Sequence, residues 1–218
     1  MIRVLKNILL SLYLLISSII FSVIITLNNS PLLYSFFLDF KSLPAISNLS
    51  KNQIMNDYNN IINYLNSPYE TTLKFENFKM SPTGEYHFLE VKNIFTSVYL
   101  AGFICLILGI ILFILIKKSK VKVLLKSFNL FFYEVLIICF FILLGFYFDF
   151  SKLFTLFHKI FFNNDYWIFD PQKDQIINVL PESYFLFLAV LVISLVIMFS
   201  IISKIFYNLN KPIFSSSK

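Results

Sequence analysis

Four long apolar runs punctuate the chain, approximately Ile8–Leu27, Ile94–Ile116, Phe128–Phe148 and Tyr184–Tyr207. None contains proline, and the only charges within them are Glu134 and Lys204. Crossing a bilayer core takes about 20 mostly apolar residues, so the runs predict membrane helices over 8–27, 94–116, 128–148 and 184–207. The connections are patterned too. "SKNQIMNDYNNIINYLNSP" opens with Ser50 and Gln53 in capping-box spacing, and Ile54, Tyr58, Ile61, Ile62 and Leu65 share one helical face before Pro68 ends it. "ETTLKFENFKM" alternates Leu73 with Phe75, then slips phase to Phe78 and Met80, which predicts a strand bulged near Asn77. "SPTGEYHFLEVKN" restarts a helix at Pro82 and leads into the second run.

In the last connection, Leu153, Phe154, Phe157, Ile160 and Phe161 recur at helical spacing with lysines between them, the pattern of a helix lying in a membrane interface. "WIFDPQKDQIINVL" then predicts two strands around a proline-containing turn, with Pro181 opening the fourth span. Tyr166 and Trp167 suit the headgroup belt. The predicted fold is therefore four transmembrane helices with a small extracytoplasmic α/β cap, built from 28–93 and 149–183.

Composition agrees: 58% of the 218 residues are hydrophobic and the mean hydropathy is +0.77, more apolar surface than a soluble domain of this size can bury. The net charge of +6 is unevenly spread. Arg3 and Lys6 precede the first span. Lys117, Lys118, Lys120, Lys122 and Lys126 lie in the 117–127 loop without an acid, and Lys204, Lys211 and Lys218 lie at or beyond the fourth span's end. The positive-inside rule then places both termini, the basic loop and the 208–218 tail in the cytoplasm, with 28–93 and 149–183 outside. The basic balance is a membrane-surface signature, not a nucleic-acid one. The first span exceeds a signal h-region and no small-x-small cleavage site follows, so it is expected to be a retained anchor. Cys105 and Cys139 fall inside spans without metal-ligand spacing and are expected to pack.

The chain's two histidines, His87 and His158, both fall in the predicted outward segments. His87 precedes the second span on the same predicted helix, about 10 Å beyond its start at 1.5 Å per residue. Glu90 stands at i+3, within reach to orient the ring. His158 lies in "FHKIFFNNDYWIFDP", among Phe154, Phe161 and Phe162. Both imidazoles could thus face one site at headgroup depth and act as a catalytic pair. They could instead be interfacial fillers, or two ligands of a metal site, although the tight two-histidine spacing of zinc motifs is missing. The outward segments lack a cysteine and a G-x-S-x-G elbow, so no covalent nucleophile stands out, and no glycine-rich phosphate loop exists. Glu134 is the sole acid in a span, a functional candidate by position or a bond to a neighbouring helix.

"EYHFLEVKN" resembles the H-M-x-D-V-K element of the lipoprotein intramolecular transacylase (Lit) family of bacterial membrane proteins. "FHKIFFNNDYWIFDPQKDQIINVLPESYF" resembles that family's second signature: F-H-x-x-F-F, D-x-W, P-x-x-D, then P-E before the last span. Phe88 stands in place of methionine, and Glu90 in place of aspartate. The resemblance implies movement of the sn-2 acyl chain of a diacylglyceryl-cysteine lipoprotein to the cysteine α-amine, with His87 and His158 as the catalytic pair. Which would be base and which acid is not legible. Lys92, Asn163, Asn164 and Trp167 are candidate orienting groups or oxyanion donors beside Glu90, while Asp165, Asp174 and Glu182 match signature positions without an assigned role. A diacylated lipoprotein and membrane lipid are the expected partners, and no cofactor is expected. Two other readings stay open: a non-enzymatic membrane protein whose cap docks an exported partner, and a metal-dependent membrane hydrolase.

Overall fold

The computed structural model describes residues 2–119 and 125–210. The helices are α1 (Ile2–Lys41), α2 (Leu43–Ser47), α3 (Lys51–Asn66), α4 (Pro82–Ser119), α5 (Leu125–Phe161) and α6 (Glu182–Asn210), with a 3-10 turn at Gln175–Asn178. The four apolar runs fall on α1, α4, α5 and α6, each long and apolar enough to cross a membrane. Part of the basic loop (120–124) and the tail from 211 lie outside the described residues.

The described residues form two compact units. One comprises 2–23, 101–119, 125–147 and 191–210. Its core joins Phe131, Val135, Cys139, Ile193 and Val196, with Leu14, Leu15 and Ile197 packed against them. Large apolar side chains such as Phe103, Ile110, Phe113, Phe140 and Phe141 are exposed on its helices, as a lipid-facing surface requires. Polar contacts knit the helices where hydrocarbon would leave polar atoms unpaired. Ser11 donates to Glu134 Oε1 at 2.9 Å, so this acid bonds a neighbouring helix. Tyr13 donates to the Cys105 carbonyl at 2.7 Å. Gly109 makes room for that phenol, whose oxygen lies 2.7 Å from where a Cβ would be. Lys204 donates to Asn129 Oδ1 and lies 4.7 Å from the centre of the Tyr133 ring.

The other unit comprises 24–100 and 148–190. The first helix continues well past the predicted end of its span, to Lys41, through Pro31. Proline cannot donate to the carbonyl four residues back; the Ser30 hydroxyl takes over, donating to Leu27 O at 2.7 Å. Continuation lets Leu27, Tyr34, Phe37 and Leu38 share one face and enter a core with Ile54, Tyr58, Ile61, Leu65, Ile176, Val179 and Tyr184. At its centre Tyr34 stacks on Tyr58 with centroids 4.0 Å apart, Tyr58 and Tyr184 share a 2.8 Å hydrogen bond, and Tyr34 donates to Val179 O at 2.6 Å. Each buried phenol thus has a partner, as burial demands. Ser50 and Gln53 form the expected capping box of α3.

The expected α/β cap is corrected: no strand occurs among the described residues, and this unit is helical with extended connections. The segment 70–80 is held by side chains where a sheet would use a neighbouring strand. The buried Asp57 carboxylate accepts the Glu76 and Asn77 N–H groups at 2.7 and 2.8 Å, and Gln175 Oε1 accepts that of Lys79 at 3.1 Å. With these donors satisfied, no ladder is needed. The hairpin expected over 167–180 is instead a turn and 3-10 helix. Ile176, Val179 and Leu180 are buried at i, i+3 and i+4, a helical period that the apolar run disguised as alternation.

Asp57→Ala leaves two backbone donors without an acceptor. At about 1.5–3 kcal/mol for each bond to a charged group, the detergent-purified protein should melt roughly 6–24 °C lower. Asp57→Asn, which keeps one acceptor but presents an NH2 to the other N–H, should fall between; differential scanning fluorimetry checks the order.

Candidate functional site

The site is assembled from the first turns of α4 and the end of α5 with the loop after it. Ser81 caps α4, its hydroxyl oxygen accepting the Gly84 N–H at 3.0 Å. Ser81 in turn donates its N–H and O–H to the two oxygens of buried Asp174, at 2.8 and 2.9 Å. A carboxylate at a helix N-terminus is favoured by the helix dipole. A Cβ on Gly84 would stand 2.2 Å from Asp174 Oδ1, so this clamp closes only over glycine. One turn further along α4 comes His87, and Glu90 follows at i+3.

Helix α5 is broken at Asp149, whose φ of −166° and ψ of 88° are extended. Asp149 Oδ1 accepts the Lys152 N–H at 3.0 Å, so the break is an N-cap that starts a new helical segment over 150–161. That bond holds the Asp149 carboxyl below the usual range. Near the segment's end, His158 places Nδ1 2.7 Å from the Phe154 carbonyl. A carbonyl can only accept, so Nδ1 carries the proton and Nε2 keeps its lone pair.

The two imidazoles, 71 positions apart in sequence, lie with ring centroids 6.0 Å apart, and both residues are buried, 7% and 8% exposed. Aromatic rings enclose them. Phe162 is 4.7 Å from His87 and 5.6 Å from His158, Phe169 is 5.5 Å from His87, Phe154 is 4.3 Å from His158, and Trp167 stacks on His158 at 4.6 Å. Beside them Asn164 donates to Glu90 Oε1 at 2.8 Å, while Glu90 Oε2 stands 4.0 Å from His87 Nδ1. Three buried polar atoms have no hydrogen-bond partner here: His87 Nδ1, Glu90 Oε2 and Trp167 Nε1. Buried polar atoms are normally paired, so such a concentration marks a place for chemistry.

Both histidines lie outside the apolar runs, and burial shifts both. Desolvation, reinforced by His158, lowers His87 to about 4. Desolvation also lowers His158, against the opposing pull of its bond to Phe154. Both rings are therefore neutral near pH 7. One N–H and one lone pair on each can serve a proton transfer without a resident charge.

Of the candidates drawn from the sequence, His87, His158, Glu90, Asn164 and Trp167 come together. Lys92 does not join them: it donates to the Glu70 carbonyl and lies 4.2 Å from the centre of the Tyr64 ring. Asn163 is exposed, and Asp165 is exposed with its carbonyl closing a turn to the Ile168 N–H at 3.1 Å. Asp174 is the α4 clamp. Glu182, in the first turn of α6, accepts from Ser151 at 3.3 Å. The walls supplied by Phe88 and Phe169 carried no signal in a chain with 28 phenylalanines. Among the described residues no three His, Cys, Asp or Glu side chains are arranged to hold a metal ion.

The model of the lipoprotein intramolecular transacylase Lit family matches residues 8–185. The chain belongs to that family. Among solved structures, the membrane-integral lipoprotein intramolecular transacylase Lit from Bacillus cereus is 29% identical with a TM-score of 0.87, covering 96% of this chain and 95% of that one. Two variants of the Bacillus cereus protein, with a histidine replaced by arginine or by alanine, match at 28% and 29% identity, each with a TM-score of 0.80. The arginine variant covers 96% of this chain and 92% of its own, the alanine variant 95% and 93%. No curated protein sequence matches at a significant level. Membership makes this chain an acyltransferase and a multi-pass membrane protein.

Gly84→Ala should push the Asp174 carboxylate off Ser81 and lower both thermal stability and activity, whereas the exposed Asn163→Ala should change neither appreciably. The histidine shifts also set a pH signature. His87 is depressed in the folded state, so the unfolded chain takes its proton first; this contribution to stability is complete above about 6.5 and is lost as pH falls from 6.5 towards 4. Melting temperature measured from pH 7.5 to 4.5 should fall more steeply for the wild type than for His87→Gln.

Proposed function

We propose that this chain moves the sn-2 acyl chain of a diacylglyceryl-cysteine lipoprotein to the cysteine α-amine, leaving a lyso-form lipoprotein. The observation that carries this reading is the convergence of two buried, neutral imidazoles, with rings 6.0 Å apart, in a chain of this family. Attacking amine and ester belong to one substrate molecule, so no covalent enzyme intermediate is required. Holding the two groups together supplies several kcal/mol by orientation alone.

In the proposed mechanism His158 is the proton carrier. Its Nδ1–H is committed to Phe154, so Nε2 takes the proton from the attacking amine as the C–N bond forms. The same nitrogen returns that proton to the glyceryl oxygen as the C–O bond breaks. One proton moves from nitrogen to oxygen, and the ring ends neutral. An amine that arrives as ammonium releases its extra proton to solvent first. His87, kept neutral by burial, and Trp167 supply N–H groups for the carbonyl oxygen as it gains charge. Asn164 fixes Glu90, whose Oε2 stands 4.0 Å from His87 Nδ1.

The membrane arrangement belongs to the same proposal. The spans are 8–27, 94–116, 128–148 and 184–207, both termini are cytoplasmic, and 28–93 with 149–183 carries the site at the outer leaflet. The distribution of lysines supports this topology, as does the position of an acylglycerol ester at headgroup depth. A docking role would give no reason for three unpaired polar atoms to gather around two imidazoles. A hydrolase using a bound metal would need a ligand set that the described residues do not form.

Mass spectrometry of a lipoprotein N-terminus, from cells with and without this protein, tests the activity. An N-acyl, monoacylglyceryl peptide should appear only where the protein is present; its absence removes the acyl-transfer reading. His158→Ala should slow formation about 10²–10⁴-fold and His87→Ala about 10²–10³-fold, with membrane insertion unchanged. Near-wild-type product from either variant takes that ring out of the mechanism.

A further inference from the structure

The gap between Glu90 and His87 has a specific size. Oε2 and Nδ1 stand 4.0 Å apart, too far for a direct hydrogen bond, and both are buried without a partner. The His87 side chain is 9% exposed and that of Glu90 22% exposed, so the two buried acceptor atoms lie nearest to open space along Glu90. A single donor atom about 2.9 Å from each acceptor spans 4.0 Å with an angle of roughly 90° at that atom. An ammonium nitrogen, with tetrahedrally arranged N–H bonds, accommodates that shape and supplies the positive charge that the half-buried Glu90 carboxylate lacks. Nothing else near Glu90 does so: among the described residues, Lys92 is committed to Glu70 and Tyr64, and no lysine or arginine pairs with Glu90. Asn164 occupies only the other carboxylate oxygen and fixes Oε2 towards the histidine.

From this geometry we infer that Glu90 Oε2 and His87 Nδ1 together bind the substrate's α-ammonium group, making Glu90 the residue that selects lipoproteins with a free N-terminus. This inference rests on the proposed reaction, whose nucleophile is that amine, and assigns the step that precedes it. Both acceptors are used by two N–H groups of one ammonium, and the Nδ1 acceptor requires the remaining His87 proton to sit on Nε2. A lipoprotein already acylated on nitrogen offers one N–H, no charge, and an acyl group in the space of the other hydrogens. It is disfavoured because the Glu90 charge is left unpaired.

The test is binding, measured in the full-length His158→Ala protein so that ligand persists. The probes are a synthetic diacylglyceryl-cysteine lipopeptide with a free amine and its N-acetyl counterpart, titrated in detergent micelles. The free-amine form should bind at least 10-fold more tightly at pH 7, and that preference should vanish as the pH is raised to 9.5 and the ammonium is lost. Glu90→Gln, which keeps an acceptor for Asn164, should bring the two affinities together at pH 7. Equal binding by the parent protein at pH 7, or a preference unchanged by Glu90→Gln, overturns the assignment. If Glu90→Gln does not fold, the pH dependence of the parent decides: a preference that persists at pH 9.5 also overturns it. Product formed by His158→Ala during the titration counts against the proposed proton carrier and leaves the ammonium site standing.

Discussion

Two buried carboxylates hold the extended segment that leads into α4, and the placement of the site depends on them. Asp57 takes the N–H groups of Glu76 and Asn77, and Asp174 takes the N–H and O–H of Ser81. Between them runs a stretch with no strand beside it, in which every unsatisfied backbone donor would cost about 1–3 kcal/mol. Because side chains meet that cost, the segment can end at one defined point, the cap of α4. His87 is then fixed by counting turns. Loss of either carboxylate would leave α4 helical but free to shift, and a ring displaced by an ångström is a ring out of range of its partner.

Under the proposed mechanism, the site is one in which a very apolar protein hosts acid–base chemistry. Its walls are phenylalanine and tryptophan, and the proposed reaction spends the few polar atoms on orientation and proton handling. Burial costs the charged forms of both histidines, which keeps them neutral where chemistry needs a lone pair. The same desolvation strengthens any hydrogen bond made to a developing oxyanion. In the proposed reaction an aromatic enclosure also limits water, which would otherwise compete with an amine for the ester carbonyl.

Much of this was legible in the residues. The four spans followed from run length alone, the capping box at Ser50 and Gln53 from spacing, and the start of α4 from Pro82. The two histidines stood out because they were scarce and both flanked spans. The expectation of strands failed for a definite reason. A short alternating run such as Leu73–Phe75 looks the same whether its amides face a neighbouring strand or a distant carboxylate, and nothing around Asp57 in sequence announces that it will accept them. Lys92 failed as a site candidate for a similar reason. It shares a helix with His87 and Glu90, but five residues on, its side chain points to Tyr64 and Glu70. The roles of Asp174 and Gly84 were hidden too, since they meet across 90 positions and the need for glycine shows only where a Cβ would stand 2.2 Å from Asp174 Oδ1.

The two rings differ in how they are held. His158 takes its tautomer from Phe154, four residues earlier in the same helical segment, and so carries its own alignment wherever that segment goes. His87 has no such local tether: its position is inherited from a chain of long-range contacts that begins at Asp174. Under the proposed mechanism, gradual loosening of the fold would therefore silence the enzyme asymmetrically, with one imidazole still correctly protonated and the other adrift. Inactivation would come from lost alignment well before the helices themselves melt.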